Sequence, residues 1–269
     1  MAETQPTVGP SRGPVYPVGL LLGGVRCLVV GGGRLAGQKA VGLLRAGAAV
    51  TLLAPRSEEA MEAITSVLGR PGPGRPGPIG ESGGTLCLLP RHYRPGEAAA
   101  YRLVLAASGR PEVDRAVADD ARRAGVWVNA ADDPARCSFF LPSVHRDGPV
   151  TVAVATDGRS PALAAWLRRR LAALAGEGLG PLAEVLGEAR ARLRAEGQPT
   201  DSVDWAALLA GPALALAAAG RLDELRQLVA AAPRRPPDAR PVSEEWSRRR
   251  PPGSTSATPG AGLPPRVGL

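Results

Sequence analysis

The sequence predicts an α/β fold in which a parallel sheet is laid down first and a helical module follows. Three observations carry this. Short apolar runs rich in β-branched residues alternate with helically spaced segments up to residue 130, a glycine-rich turn joins the first run to the first helix, and beyond residue 160 only helical spacing remains. Residues 25–30 read as a strand, followed by Gly31-Gly32-Gly33 and by Leu35, Ala36, Ala40, Leu43 and Leu44 at helical spacing, closed by Gly47. A second strand over 49–54 ends at Pro55, and Ser57 stands where it can cap a helix carrying Met61, Ile64 and Leu68. Residues 69–84, GRPGPGRPGPIGESGG, read as a flexible surface insertion that forms neither helix nor sheet, because proline removes backbone donors and glycine loses most entropy on ordering. Strands over 85–89, 103–107 and 126–130, with a helix over 111–124 stopped by Gly125, complete the alternation and place ligands at the carboxyl ends of the strands. The helix is expected to turn Val113, Ala116, Val117, Ala121 and Ala124 to one side. A strand over 150–155 leads to Ser160-Pro161, a helix start that puts Leu163, Leu167, Leu171 and Leu174 on one face. Leu182, Val185, Leu186, Ala189 and Leu193 mark a further helix, and residues 205–231 a weaker one.

Composition bounds the function classes. Apolar residues make up 44% of the 269 and aromatics only 3%, so Leu, Val and Ala fill the core. The formal charge is +8, and every cation except Lys39 is arginine; with 34 Gly and 28 Pro this reads as a coding bias rather than a nucleic-acid surface. Cys27, Cys87 and Cys137 are odd in number and widely spaced, which excludes a disulfide framework and a CxxC pair and fits a reducing, cytoplasmic setting. No export signal or membrane span is read: the longest uncharged stretch, residues 205–220, is broken by Gly211-Pro212. Residues 1–14 read as a loose leader. Residues 233–269, with seven Arg, three acidic residues and many Pro, Ser and Gly, read as a disordered tail.

Three stretches can carry chemistry. Gly31-x-Gly33-x-x-Ala36 lies between a strand and a helix, the context in which glycines let backbone approach a pyrophosphate and the helix N-terminus offers amides to it. The acidic residue expected about 20 positions on for the ribose hydroxyls is missing, since the second strand ends Leu53-Ala54-Pro55-Arg56. Backbone at Pro55 and Arg56 is assigned that contact, and Arg56 keeps NADP open beside NAD. Asn129-Ala130-Ala131-Asp132-Asp133-Pro134 ends a strand where a carboxylate can take a proton, although an Asp-Pro turn explains the pattern equally. Residues 155–161, ATDGRSP, form a turn into a helix N-terminus that either holds an anion or merely caps the helix. His92 and His145 read as surface residues, and metal-ligand spacing is absent.

The ordered set of Gly31-Gly32-Gly33-Arg34-Leu35-Ala36-Gly37-Gln38-Lys39, Arg91-His92-Tyr93, Ala106-Ala107-Ser108, residues 128–134 (VNAADDP), residues 138–143 (SFFLPS) and Ser160-Pro161-Ala162-Leu163-Ala164 resembles the precorrin-2 dehydrogenase family, which includes the dehydrogenase and ferrochelatase module of siroheme synthase. The resemblance spans roughly residues 15–195. It implies an NAD-binding Rossmann domain over 15–141, a dimerisation segment over 142–176 and a small helical domain over 177–232, assembled as a homodimer. It further implies hydride transfer from precorrin-2 to NAD giving sirohydrochlorin, with Fe2+ insertion as a second step in many members. Asp132 falls on the family's general base and Asn129 on a residue that orients the substrate or the Asp132 loop. Thr156 falls on a family serine, and Gly31, Gly33, Arg34, Leu35, Ala36, Pro55, Arg56, Ala107 and Ser108 fall on the dinucleotide side. Arginines are expected to grip the tetrapyrrole's carboxylates, Arg146 and Arg159 first and then the run at 168–170. Asp157 departs from the two glycines frequent in the family and adds an unfavourable charge near a polycarboxylate. Two other classes fit parts of the sequence: a non-catalytic NAD-sensing regulator, which requires an ordered basic recognition element that the tail does not supply, and a chelatase without dehydrogenase activity.

Overall fold

A computed structural model describes residues 15–69, 77–79 and 83–234. The leader, most of the 69–84 insertion and the tail beyond residue 234 lie outside the described residues. Two compact units emerge. One holds residues up to Val144 together with Ala153–Arg169, and the other His145–Val152 with the residues from Arg170 onward.

The first unit is a six-stranded sheet. Strands β1 (Arg26–Val30), β2 (Ala49–Leu53), β4 (Gly84–Leu89), β5 (Leu103–Ala106) and β6 (Trp127–Ala130) run parallel, with β3 (Gly77–Ile79) antiparallel at the edge, in the order β3-β4-β2-β1-β5-β6. The order reverses beside β1, whose Val29 pairs with Leu52 on one side and Leu105 on the other. A crevice therefore opens at the carboxyl ends of β1 and β5. The alternation of strand side chains feeds two cores. Cys27, Val29, Val50, Leu52, Leu103 and Leu105 pack beneath α1 (Arg34–Arg45) and α2 (Glu58–Leu68). Leu28, Val30, Val104, Ala106 and Val128 face the opposite way, onto Val117, Ala118 and Ala121 of α3 (Pro111–Arg123). Ala116 and Ala124, expected on that face, are exposed.

The expectation that residues 69–84 form no strand is corrected at residues 77–79. Pro78 has no N–H to give, and an edge strand with one neighbour tolerates that loss. Ser57 takes the N-cap position of α2, but its side chain makes no capping bond there; its carbonyl accepts from Met61 N–H at 2.8 Å. Ser160 does cap α4 (Pro161–Ala175): its Oγ accepts the Leu163 N–H at 3.2 Å. Strand β7 (Ser143–Asp147) pairs with β8 (Val150–Val154) in a ribbon turned at Gly148. Its sequence, SVHRD, has no run of apolar residues and escapes notice.

In the second unit α5 (Leu179–Ala195), α6 (Trp205–Ala210), α7 (Ala213–Ala218) and α8 (Leu222–Ala230) close around Leu182, Val185, Leu208, Ala213, Ala217, Leu225 and Val229. The weak helix read over 205–231 is thus three short ones, broken at Gly211-Pro212 and Gly220. Among the described residues no helix is long and apolar enough to cross a membrane.

Helix α3 also buries Asp120, which ties the 93–96 loop to that helix. Its carboxylate accepts from Gly96 N–H at 2.6 Å, Tyr93 Oη at 2.9 Å and the Arg123 guanidinium. Burial alone would raise its pKa; the three donors outweigh burial and hold it below the ordinary carboxylate value. A carboxyl with a depressed folded-state pKa contributes stability above its unfolded value near ~4 and loses it as pH falls through the folded value. Asp120→Asn is therefore expected to cost about 1–3 kcal/mol near neutral pH and to flatten the loss of stability on the acid side, read by chemical denaturation at a series of pH values.

Candidate active site

The chain leaves β1 through Gly31, whose φ of 141° suits glycine alone, and a Cβ there would lie 2.1 Å from the carbonyl oxygen of Ala107. A Cβ on Gly32 would lie 1.6 Å from the Arg56 carbonyl oxygen. The loop is thus bare backbone running into α1, a twelve-residue helix with no acidic residue in its first turn. That is the setting a pyrophosphate needs, a glycine loop at the positive dipole end of a helix, although the Gly31 N–H itself is spent on the Leu53 carbonyl at 3.0 Å. A cleft of about 530 Å³ opens here, lined by Gly31, Gly33, Pro55, Arg56 and Ser108 as the sequence suggested. Glu58, Glu59, His92, Tyr93 and Arg110 also line it, and the sequence reading missed their part in it. The glutamates bring acidic side chains to the cleft that β2 does not; they sit in the first turn of α2, beyond the distance at which the motif looks for an acidic residue. His92, read as a surface residue, is exposed but forms part of this wall.

A second cavity, about 270 Å³, is lined by Leu35, Ala107, Asp114, Asp132, Asp133 and Arg136, among others. The 107–111 turn is the wall between the two, since Ser108 and Arg110 face the larger cleft while Ala107, Gly109 and Pro111 face the smaller. Buried Asp114 fixes that turn by accepting the Ser108 N–H at 2.9 Å. Asp132 follows β6 directly, is exposed, and has φ of 57°, a left-handed conformation that aspartate tolerates better than most residues. Its neighbour Asp133 is engaged by Arg136 at 2.9 Å, and Arg136 reaches Asp119 on α3 at 3.2 Å. Both adjacent carboxylates line the cavity, and Asp133 is held in an ion pair there.

Asn129 is buried at the end of β6. Its Oδ1 accepts from Lys39 Nζ at 2.9 Å, and its Nδ2 donates to the Phe139 carbonyl at 3.1 Å and to Cys137 Sγ at 3.5 Å. Both ends of the amide are used inside the protein, which favours orienting the loop over touching the substrate. Burial lowers the Lys39 pKa, while the charges of Cys137, Asp132 and Asp114 oppose that shift. Burial pushes the Cys27 thiol up to about 11, so it is inert.

The remaining expected residues are dispersed. Arg34 is exposed at the start of α1 outside both linings, and Ala36 is fully buried under that helix. Thr156 Oγ1 is occupied within its turn, accepting the Ser160 N–H and donating to the Ser160 carbonyl, each at 3.1 Å. Arg159 is exposed in the first unit, whereas Arg146 is exposed on β7 in the second. Gly37 was overlooked: a Cβ there would lie 2.5 Å from the Ala60 carbonyl oxygen, so α1 and α2 pack closely at this point. A glycine inside a helix, at a cost of roughly 1 kcal/mol, is the signal that identifies such a contact.

Comparison with known proteins bears on this arrangement. A family described as putative NAD(P)-binding matches residues 19–143, and one described as sirohaem biosynthesis protein central matches residues 147–174. A siroheme synthase of Methylococcus capsulatus is 35% identical over 215 residues, covering 79% of this chain and 42% of that protein. One of Acinetobacter baylyi is 32% identical over 202 residues, covering 74% and 40%. This chain spans about two fifths of the length of these relatives. In structure it resembles SirC, a precorrin-2 dehydrogenase, with a TM-score of 0.51 and 24% identity over 67% of this chain and 81% of that one, a likeness of fold. The ordered pair of family matches and the relatives across three quarters of the chain agree: over about 200 residues this chain is similar to siroheme synthases, with a putative NAD(P)-binding region followed by a sirohaem biosynthesis central region.

Proposed function

We propose that this chain catalyses the NAD-dependent dehydrogenation of precorrin-2 to sirohydrochlorin in siroheme biosynthesis, with Asp132 as general base. The observation that carries the reading is the exposed Asp132 carboxylate at the carboxyl end of β6, separated from the bare glycine loop only by the 107–111 turn. A dinucleotide bound on that loop supplies the hydride acceptor. Asp132 takes the proton that must leave the macrocycle, Asp133 is withheld from the task by Arg136, and Asn129 and Cys137 fix the loop. Arg159 is assigned to a substrate carboxylate, and Thr156 to shaping the turn beside it. Arg146, in the second unit, is left out of the assignment. Fe2+ insertion after dehydrogenation, in keeping with the relatives named siroheme synthase, is a second step assigned to the same carboxylate. The odd number and wide spacing of Cys27, Cys87 and Cys137 support a cytoplasmic setting.

Anaerobic incubation with precorrin-2 and NAD+ should yield NADH and the sirohydrochlorin spectrum, and Fe2+ added afterwards should convert that spectrum to siroheme. Asp132→Asn is expected to lower the NADH rate about 10²–10⁴-fold; an undiminished rate in folded protein overturns the assignment.

NAD is favoured over NADP by charge. Glu58 and Glu59 stand on the wall of the larger cleft, and Arg110 is already paired with Glu112 at 2.8 Å, so Arg56 alone opposes two carboxylates. A preference for NAD+ over NADP+ of about tenfold or more in kcat/KM, narrowed by the Glu58→Gln/Glu59→Gln double substitution, is expected from steady-state kinetics.

A homodimer is proposed from α4, which leaves Leu163, Trp166, Leu171 and Leu174 between 42% and 78% exposed on one helix. Contiguous apolar surface of this kind is covered in a working protein. Light scattering should give a dimer mass for the wild type and a monomer mass for Leu171→Glu/Leu174→Glu.

A further inference from the structure

Lys39 is the single lysine of the chain. It lies half-buried on α1, two turns from the glycine loop, with Nζ 2.9 Å from Asn129 Oδ1. An ammonium has only donors, so this bond selects one of the two orientations of the Asn129 amide: oxygen toward α1, nitrogen toward the loop. In that orientation Nδ2 reaches the Phe139 carbonyl and Cys137 Sγ, and the same sulfur meets the backbone of Ala130 and Asp133, on either side of Asp132. We propose that Lys39, as a cation, is a positioning residue that locks the Asn129 amide and thereby the 131–139 loop, coupling the helix that receives the dinucleotide to the carboxylate that receives the proton. The proposal rests on reading Asp132 as the general base.

The groups facing Lys39 are Asn129 from β6, Asp132 and Cys137 from the loop and Asp114 from α3. Burial pushes the amine below its usual value, and the three acidic groups hold the proton on. Raising the pH therefore strips the cation earlier than for a solvated lysine, and the neutral amine is a weaker donor to the amide. Substitution by arginine keeps the charge through the alkaline range but puts a planar five-donor fork where a single ammonium bonds the Asn129 oxygen.

One lysine gives one resonance, so the full chain made with ζ-¹⁵N-lysine reports Lys39 directly. Its titration midpoint should lie below the ordinary lysine value near ~10.4 and fall further in Asp132→Asn. The alkaline limb of wild-type kcat should coincide with that midpoint and should remain in Cys137→Ser, which excludes the thiol as its source. Lys39→Met should lower kcat about 10- to 100-fold with KM for NAD+ within about twofold. Overturning results are an ordinary midpoint that ignores Asp132→Asn, a limb that Cys137→Ser abolishes, or wild-type kcat in Lys39→Met. Lack of any NADH formation in the wild type would overturn the dehydrogenase reading, while the resonance would still decide whether Lys39 is held against Asp132.

Discussion

Everything at the carboxyl edge of the sheet depends on one close approach, that of Gly31 to the carbonyl of Ala107. The space between them is smaller than one carbon atom, so β1 and β5 end in backbone contact. Gly32 meets the Arg56 carbonyl in the same way, and its own carbonyl accepts the Ala60 N–H at 3.0 Å. The exits of three strands are thereby fastened around one loop. From this follow the placement of the α1 N-terminus over the crevice, the close packing of α1 on α2 at Gly37, and the 107–111 turn as the divide between two cavities. A single added methyl at Gly31 has nowhere to go without parting β1 from β5, and with them the walls of the two cavities.

The 131–137 loop solves a different problem, which is to hold two adjacent carboxylates in unlike states. Left-handed backbone at Asp132 costs roughly 1–2 kcal/mol, and the two Arg136 ion pairs, open to solvent on the arginine side, are weak. Ion pairing alone is an insecure anchor. The surplus comes from less exposed bonds: Ala131 N–H to the Ala106 carbonyl at 2.8 Å, Ser138 N–H to the Val128 carbonyl at 2.7 Å, and Cys137 Sγ against the backbone of Ala130 and Asp133. Cys137, which as a sequence feature suggested only the absence of disulfides, works here as a compact polar peg.

What the sequence revealed and what it hid divide along a physical line. Strands β1, β2, β5 and β6, the glycine loop and the Ser160-Pro161 helix start were legible because each is dictated within a few residues, by branched apolar runs, by glycine conformation and by capping. Asp132 was singled out by the family resemblance, since spacing alone reads residues 129–134 equally as an Asp-Pro turn. Strand β3 was hidden because Pro78 is tolerated only through its position at the edge, which a local reading does not supply. Glu58 and Glu59 were hidden because they reach the cleft from a helix rather than from β2. The pairing of Lys39 with Asn129 joins residues 90 apart, and only the packing of α1 on the sheet brings them together. Leu163, Leu167, Leu171 and Leu174 were read as one apolar face, but periodicity does not say that Leu163, Leu171 and Leu174 stay exposed within one chain while Leu167 is half-buried.

The turn between β8 and α4 shows how the same reasoning assigns a role against a residue's apparent chemistry. Thr156 carries a hydroxyl suited to meeting substrate, yet both its donor and its acceptor capacity are spent on Ser160, and the Arg159 N–H closes the turn onto the Thr156 carbonyl at 2.8 Å. Gly158 rests on the ring of Phe140, where a Cβ would lie 3.4 Å away, and Phe140 follows the residue whose carbonyl holds Asn129. The turn is therefore built outward from the same scaffold that fixes Asp132. Asp157 takes a left-handed φ of 50° there and is exposed. Glycine would adopt that backbone without strain, so the aspartate costs stability and adds a negative charge to an exposed turn. The exposed Arg159, two residues later, offsets that charge within the same turn.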